Sequence, residues 1–158
     1  MFKKGDYIVY PVHGVGQIKK IEKKKIEDKT STFYVIEFFT TNMRIMLPVE
    51  KAEEVGLRPV VKQKDIKKVF DILKGRARKM PNDWKVRYQI NVAKMKTGSI
   101  FEIAEIVRDL RRRSKTKELS AMEKKMLEQA LDHIILEISK SKGIEYSEAE
   151  ELVKKHLK

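Results

Sequence analysis

The sequence predicts an α+β protein in which a small N-terminal antiparallel β-barrel or curled sheet precedes an all-helical bundle. Up to about residue 61, short β-branched and aromatic runs alternate with turn signals, as in small antiparallel sheets. After Pro59, apolar residues recur at helical spacing and continue to do so along the chain. We therefore expect two domains, residues 1–61 and residues 62–158.

Four strands are predicted in the first domain. They are DYIVY, VGQIKKI, TFYVIEFF and MRIML, and Pro48 closes the last of them. Turn-forming residues separate the runs, namely His13-Gly14-Val15-Gly16, Glu27-Asp28-Lys29 and Thr41-Asn42. Several short strands in so few residues favour a sheet that curls or closes on itself.

Helix boundaries in the second domain are marked by local signals. An apolar face ends at Gly75, and its members are Ile66, Val69, Phe70 and Leu73. Pro81-Asn82-Asp83 predicts the start of the next helix, with Asn82 or Asp83 as its cap. Three later helices are predicted to begin with capping boxes, in which a serine and a glutamate satisfy free N–H groups. The pairs are Ser99/Glu102, Ser120/Glu123 and Ser147/Glu150.

Positive charge is concentrated in the middle of the chain. The formal net charge is +13, from 36 Lys and Arg against 23 Asp and Glu. Residues 62–117 hold 18 basic and 6 acidic side chains, a net of +12, whereas residues 1–61 carry +3 and residues 118–158 carry −2. Such a field attracts a polyanion such as nucleic acid, because each neutralised phosphate releases counterions. An anionic membrane surface, or a solvated lysine-rich surface of the thermophile kind, is the alternative.

Catalytic and metal-binding motifs are absent from the sequence. There is no phosphate-binding G-x-x-x-x-G-K-[ST] loop, and Gly14-Val15-Gly16 predicts a turn rather than a nucleotide site. The three histidines, His13, His133 and His156, lack metal-ligand spacing. We therefore expect no enzyme, no catalytic residues, no metal, no cofactor and no small-molecule substrate.

Cysteine usage and hydropathy bear on the compartment. The chain has no cysteine, which suits a reducing environment, so we expect a cytoplasmic protein. Charged residues interrupt the start MFKKGDYIVYPVHG, unlike a signal peptide, and no apolar run reaches membrane-spanning length. We expect no membrane partner.

The single tryptophan, Trp84, lies in the first turn of a predicted helix. Helical spacing places it on one face with Tyr88, Val92 and Met95, while Val86, Ile90 and Ala93 share nearly the opposite face. One interpretation is that the helix runs between two others and buries both faces. The other is a base-stacking or wedge site with a basic rim. That rim would comprise Lys74, Arg76, Arg78, Lys79, Lys85 and Arg87.

Motifs along almost the whole chain resemble one family. They occur in the order Y-P-V-H-G-V-G, M-R-I-M-L-P, E-E-V-G-L-R-P-V, D-W-K-V-R-Y, I-V-R-D-L and L-S-A-M-E-K-K-M-L. Together they resemble the bacterial CarD/CdnL transcription regulators, and the N-terminal part is similar to the polymerase-binding module of transcription-repair coupling factor. The resemblance implies a Tudor/SH3-like barrel that binds the RNA polymerase β subunit. It also implies a helical domain that contacts promoter DNA at the upstream edge of the bubble and stabilises the open complex, for example at rRNA promoters.

The resemblance also implies roles for particular residues. Trp84 takes the place of the family's minor-groove wedge, and Lys85, Arg87 and Lys124 are expected at the DNA. Lys24 and the strand Ile45-Met46-Leu47 are expected on the polymerase-facing side. Two departures alter this picture. Some relatives have arginine at the position of Met46, so we expect the polymerase contact to be apolar here. Some have lysine at the position of Gln89, so we expect one phosphate contact fewer.

Two rival functions fit parts of the sequence. A helix-turn-helix repressor would use the helices after Ser99 and Ser120, with Arg111, Arg112 and Arg113 at the DNA, although residues 114–119 form a long connection for that motif. It would bind a defined duplex without polymerase. A general RNA-binding accessory protein would bind single strands irrespective of polymerase.

Overall fold

The computed structural model describes residues 1–157, and in them every strand precedes every α-helix. The residues form two units, residues 1–60 and the residues from 61 onward. This order confirms the predicted α+β class. None of the helices within residues 1–157 combines the length and the apolar character needed to cross a bilayer.

The first unit is an open five-stranded antiparallel sheet. Its strands are β1 (Tyr7–Tyr10), β2 (Gly14–Ile26), β3 (Lys29–Phe38), β4 (Arg44–Pro48) and β5 (Arg58–Pro59). They lie in the order β4-β3-β2-β1-β5, which leaves β4 and β5 at the two edges. An open sheet of this kind is consistent with a Tudor-like module. The two-residue β5 has no sequence signal of its own, and pairing with β1 creates it.

Strands β2 and β3 form a hairpin that extends past its neighbours. β1 pairs with β2 only over residues 14–17, and β4 pairs with β3 only over residues 33–37. The β2–β3 pairing continues as far as Ile26 opposite Lys29. Residues 23–32 are therefore a two-stranded ribbon, and most of their side chains are exposed.

The core of the first unit is built from inward-facing residues of alternating positions. Its largest buried side chains are Ile8, Ile18, Tyr34, Ile36, Phe38 and Leu47. Gly16 allows β2 to approach β3 closely. A Cβ there would lie 2.9 Å from the carbonyl oxygen of Glu37 and 2.9 Å from the Phe38 ring. Any residue larger than glycine would therefore clash with β3 at this position.

The second unit consists of five α-helices around one core. They are α1 (Gln63–Lys74), α2 (Trp84–Lys96), α3 (Ile100–Ser114), α4 (Ala121–Lys142) and α5 (Tyr146–His156). The most deeply buried apolar side chains are Val69, Ala104, Ile106, Val107, Ala130, Ile134, Ile138, Ala149 and Val153. Helices α3 and α4 supply most of this core.

Helix-capping predictions have mixed outcomes. Gly75 ends α1, and the Asp83 carboxylate accepts a hydrogen bond from the Lys85 N–H at the start of α2, both as predicted. Ser120 and Glu123 form a complete capping box. Ser99 caps α3 by position only, because its side chain makes no capping hydrogen bond.

The predicted capping box of the last helix is wrong. Helix α5 begins at Tyr146 with Glu145 as its N-cap residue, so Ser147 lies inside the helix. Gly143 ends α4 in the left-handed conformation, with φ of 67°. Ile144 then packs against the core. The short turn lets the next helix start before Ser147 is reached.

Candidate nucleic-acid and protein interfaces

Trp84 lies at the rim of the helical unit. It is the first residue of α2, is partly exposed, and its ring meets Tyr88 edge-on with 6.4 Å between ring centroids. Tyr88, Val92 and Met95 pack against the core cluster, whereas Trp84 is not among the described side chains of that cluster. The apolar stripe of α2 is therefore divided, and only its C-terminal part is core.

The opposite face of α2 is open to solvent. Val86 is 48% exposed and Ile90 is 38% exposed. Lys85 and Gln89 on the same side are also exposed. The interpretation in which α2 runs between two helices and buries both faces is therefore wrong.

Arg87 is buried, which corrects the expectation that it lies at DNA phosphates. Its side chain is 3% exposed. Nε and Nη2 donate to the Glu123 carboxylate at 2.6 and 2.8 Å. Nη1 donates to the carbonyl oxygens of Pro81 and Asn82 at 2.9 and 3.1 Å. With its donors engaged inside the unit, Arg87 fixes the segment before α2 against α4 and presents no free face to a phosphate.

Glu123 has two functions: it is the acidic partner of Arg87, and it caps a helix. It completes the Ser120 capping box at the start of α4, and its side chain is fully buried. Burial by itself raises the pKa of the Glu123 carboxyl, but hydrogen bonds from Arg87 and Ser120 outweigh that effect, so the pKa lies below its ordinary value. Glu123 is therefore a charged anchor at neutral pH.

The Arg87–Glu123 pair brings the first turns of α2 and α4 together. Trp84 and Lys85 precede Arg87 by three and two residues, and Lys124 follows Glu123 directly. Lys85 and Lys124 are exposed. We call Trp84, Lys85 and Lys124 the junction surface. The N-terminal ends of both helices add partial positive charge to it.

Several of the other basic residues in the middle of the chain serve the fold. Arg78 binds the Asp109 carboxylate through Nε at 3.1 Å and Nη2 at 3.0 Å. Arg112 donates to the carbonyl oxygen of Lys74 at 3.0 Å, at the end of α1. The Nε atoms of Arg111 and Arg113 are buried. The arginines that a helix-turn-helix repressor would use are thus partly committed to the interior.

The predicted polymerase-facing strand is an edge of the sheet. Ile45 and Leu47 point inward, and Leu47 is only 5% exposed, whereas Met46 points outward and is 40% exposed. Alternation along a strand explains the difference. Of the three, Leu47 is therefore corrected from a contact residue to a core residue. Lys24 lies on the exposed ribbon of β2 and β3.

The histidines are distributed singly. His13 stacks on Phe38, His133 pairs with Glu137, and His156 stacks on Phe70. Across residues 1–157, no three His, Asp or Glu side chains come together in a way that could hold a metal ion.

Comparisons with known proteins match both units. Residues 2–61 match the model of the CarD-like/TRCF RID domain, and residues 68–154 match that of the CarD C-terminal domain. Over 144 residues the chain is 43% identical to YdeB of Bacillus subtilis (strain 168), a candidate transcription factor, and this covers 91% of the chain and 94% of YdeB. A solved structure, CdnLNt from Myxococcus xanthus, is 40% identical and covers 40% of this chain and 89% of its own, with a TM-score of 0.34.

Proposed function

Because this chain belongs to the CarD family of transcription regulators, we propose that it stabilises the open promoter complex while bound to RNA polymerase. Residues 1–61 bind the polymerase β subunit, and residues 62–158 bind promoter DNA at the upstream edge of the bubble. The match of residues 2–61 to the CarD-like/TRCF RID domain supports the polymerase partner. The +12 charge of residues 62–117 supports the DNA partner. Promoters of rRNA are example targets.

The observation that carries this proposal is the position of Trp84. Its ring is partly exposed at the rim, and the buried Arg87–Glu123 pair fixes the turn from which it projects. A side chain held in place before binding loses little conformational entropy when it inserts into DNA. Trp84 therefore suits an aromatic wedge in the minor groove.

The wedge acts by favouring the melted state. Unwound promoter DNA recloses unless something occupies the upstream junction, and an indole there replaces part of the lost base stacking. Stacking of a base on an aromatic side chain is worth about 1–3 kcal/mol. A gain of about 1.4 kcal/mol shifts the open-to-closed equilibrium roughly tenfold. The effect requires no reading of base sequence.

The two lysines of the junction surface hold the DNA backbone. Lys85 and Lys124 come from different helices and are both exposed, so they can contact phosphates on either side of an inserted ring. Each neutralised phosphate releases counterions and adds affinity that does not depend on sequence. Gln89 supplies no charge.

Strand β4 provides the polymerase contact. Its outer edge pairs with no other strand of residues 1–157, so its N–H and C=O groups are available to a strand of the β subunit. Met46 adds an exposed apolar side chain to that edge. Lys24 on the neighbouring ribbon adds a positive charge.

The first test is Trp84→Ala. We expect the lifetime of the open complex to fall about tenfold, because the stacking contribution of the ring is lost. Polymerase binding and Tm stay close to those of the original protein, since the ring lies outside the core cluster. Pull-down with polymerase, thermal melting and promoter-melting kinetics measure the three quantities.

Two variants serve as controls for Trp84→Ala. Trp84→Phe keeps an aromatic ring and should retain part of the effect, and Ile90→Ala removes an exposed apolar side chain from the opposite face of α2. A large fall in Tm for Trp84→Ala would indicate that the ring stabilises the fold and is not a wedge. Nanomolar binding to a free duplex of defined sequence without polymerase would favour the repressor instead.

A further inference from the structure

A cavity of about 290 Å³ opens within the helical unit. It lies between α2, the C-terminal half of α3 and the segments that precede α2 and follow α3. The residues of the junction surface do not line it. Its lining includes five polar or charged side chains, Arg78, Asn91, Asp109, Arg113 and Lys117.

Asn91 is the unusual residue of this cavity. It is fully buried on α2, and neither Nδ2 nor Oδ1 has a hydrogen-bond partner among residues 1–157. A buried amide without partners is costly, and nearly all buried polar groups in proteins are satisfied. The Asn91 amide has two donors and one acceptor, and both of its polar atoms lie closed to solvent behind the cavity wall. Its chemistry indicates a polar occupant.

The charge of the cavity indicates an anion. Its one acidic lining residue, Asp109, is already bound by the Arg78 guanidinium. Arg113 and Lys117 have no ion-pair partner within the part of the chain that the structure describes; Lys117 is exposed, and Arg113 Nε is buried without a hydrogen bond. Two uncompensated cations therefore border the same space as the Asn91 amide.

We propose that this cavity binds a small phosphorylated molecule that also carries a hydroxyl or amine donor, such as a sugar phosphate or a nucleoside monophosphate. The guanidinium of Arg113 matches the oxygens of a phosphoryl group, and Lys117 adds a second charge. Because neither amide atom of Asn91 has accessible surface in the unliganded chain, binding includes a local shift of the cavity wall, after which Nδ2 donates to an oxygen of the ligand and Oδ1 accepts from its hydroxyl or amine. The volume of about 290 Å³ lies at the lower end of the range for small-molecule sites, which suits a ligand of this size.

Occupation of the cavity would act on the junction surface. Asn91 is one helical turn after Arg87, and both residues line the cavity. A ligand that bridges Asn91 on α2 and Arg113 on α3 therefore strengthens the docking of the helix that carries Trp84. This binding goes beyond the proposed action at promoters, and it raises Tm whether or not polymerase is present.

The test uses the full-length chain and defined probes. Inorganic phosphate, ribose 5-phosphate and adenosine monophosphate are titrated at constant ionic strength, with ribose and adenosine as unphosphorylated controls. We expect the Asn91 side-chain amide resonances to shift saturably, with half-saturation at about 1 mM or below, for at least one phosphorylated organic probe. Tm should rise with the same probe and not with its unphosphorylated counterpart.

Variants assign the response to the cavity. Arg113→Met should weaken binding about tenfold or more, because a hydrogen bond to a charged group is lost. Asn91→Leu should abolish binding and raise the Tm of the unliganded protein, because two unpaired polar atoms are removed. Lys115→Met is the matched control, since Lys115 is exposed in the same segment and does not line the cavity.

Several outcomes would overturn the proposal. They are a response to none of the phosphorylated probes, an equal response to ribose or adenosine, and equal losses in Arg113→Met and Lys115→Met. Displacement of a bound nucleotide by a short DNA duplex would assign the site to a nucleic-acid phosphate and overturn the small-molecule proposal. If Asn91→Leu fails to fold, Arg113→Met and Lys117→Met decide the question.

Discussion

Exposure of single side chains separates the residues that can meet a partner from those that hold the fold. Met46 and Leu47 are neighbours in β4, yet one is 40% exposed and the other 5%. Lys85 and Arg87 are two residues apart in α2, yet Lys85 is exposed and Arg87 is paired in the interior. Substitutions in these pairs should therefore affect different properties.

The proposed polymerase contact is tested by Met46→Glu. A charge at an apolar contact is costly, and the contact area of the methionine is lost as well, so we expect affinity for the polymerase β subunit to fall about tenfold or more. Tm should be unchanged, because the side chain is exposed. Met43→Glu is a matched control, since Met43 is 43% exposed in the turn before β4. Equal loss in both variants would contradict a specific role for Met46.

The proposed phosphate contacts are tested by Lys85→Ala and Lys124→Ala. Each variant should bind promoter and unrelated duplex more weakly, and each should reduce the slope of log K against log salt by about 0.9. Binding measured over a series of salt concentrations gives that slope. Lys142→Ala removes an exposed lysine from the far end of α4, about 27 Å along the helix, and should change nothing. A similar slope change for Lys142→Ala would indicate a diffuse charge effect.

At the scale of secondary-structure elements, the contact between α2 and α4 holds the helix that carries Trp84 in place. α2 has weak amphipathic character, since it exposes Val86 and Ile90 while Tyr88 packs inward. Its position therefore depends on polar contacts in addition to this packing, in particular those of Arg87 with Glu123 and with the carbonyl oxygens before α2. Loss of these contacts should loosen the start of α2 and release Trp84.

Glu123→Gln tests this anchor. The variant leaves Arg87 buried without a counter-ion, which typically costs about 3–5 kcal/mol, so we expect a clear fall in Tm. The double variant Arg87→Met/Glu123→Leu should recover much of that stability but should still shorten the open-complex lifetime. Thermal melting and promoter kinetics on the same samples distinguish the two effects. Full retention of Tm in Glu123→Gln would contradict the role of the Arg87–Glu123 pair in holding α2 in place.

Stability should also depend on pH through Glu123. Its folded pKa lies below the ordinary value, so the charged form stabilises the fold above about pH 4.3, and this stabilisation is lost as pH falls further. Thermal melting between about pH 3 and pH 7 should therefore show a steeper acid loss for the original protein than for Arg87→Met/Glu123→Leu. Parallel curves would indicate that other carboxylates dominate.

At the scale of the whole molecule, each unit has its own hydrophobic core, and the two proposed partners are assigned to different units. The junction surface offers few contacts, so the helical unit alone should bind DNA weakly and in a salt-dependent way. A polymerase-bound N-terminal unit raises the effective concentration of the helical unit at the promoter. A small DNA-binding surface is then sufficient.

Separation of the units tests this tethering. We expect residues 1–60 and residues 61–158, produced as separate chains, to leave the open-complex lifetime unchanged even when they are mixed, because the intramolecular advantage is gone. Circular dichroism of each chain establishes that it is folded, and promoter-melting kinetics measure the effect. Full activity of the helical unit alone would contradict the tethering.

Local patterns in the sequence were sufficient for the elements themselves. The four longer strands, the Gly75 helix end, the Asp83 cap and the Ser120/Glu123 capping box all follow from side-chain alternation, turn residues and capping chemistry within a few residues. Strand β5 does not follow, because it depends on pairing with β1. The start of α5 differs from the prediction because the turn after Gly143 is short, so the helix begins at Tyr146.

The sequence by itself determined the α+β order of elements, the basic middle segment and the family resemblance. Only the tertiary structure decided which basic residues are free, because their partners are distant in the chain. Arg87 meets Glu123 across 36 positions, and Arg78 meets Asp109 across 31. The sequence does not distinguish a charged helix residue that is solvated from one that is paired in the interior. Folding removed Arg87 from the candidate DNA contacts and placed Asn91, Arg113 and Lys117 around one cavity.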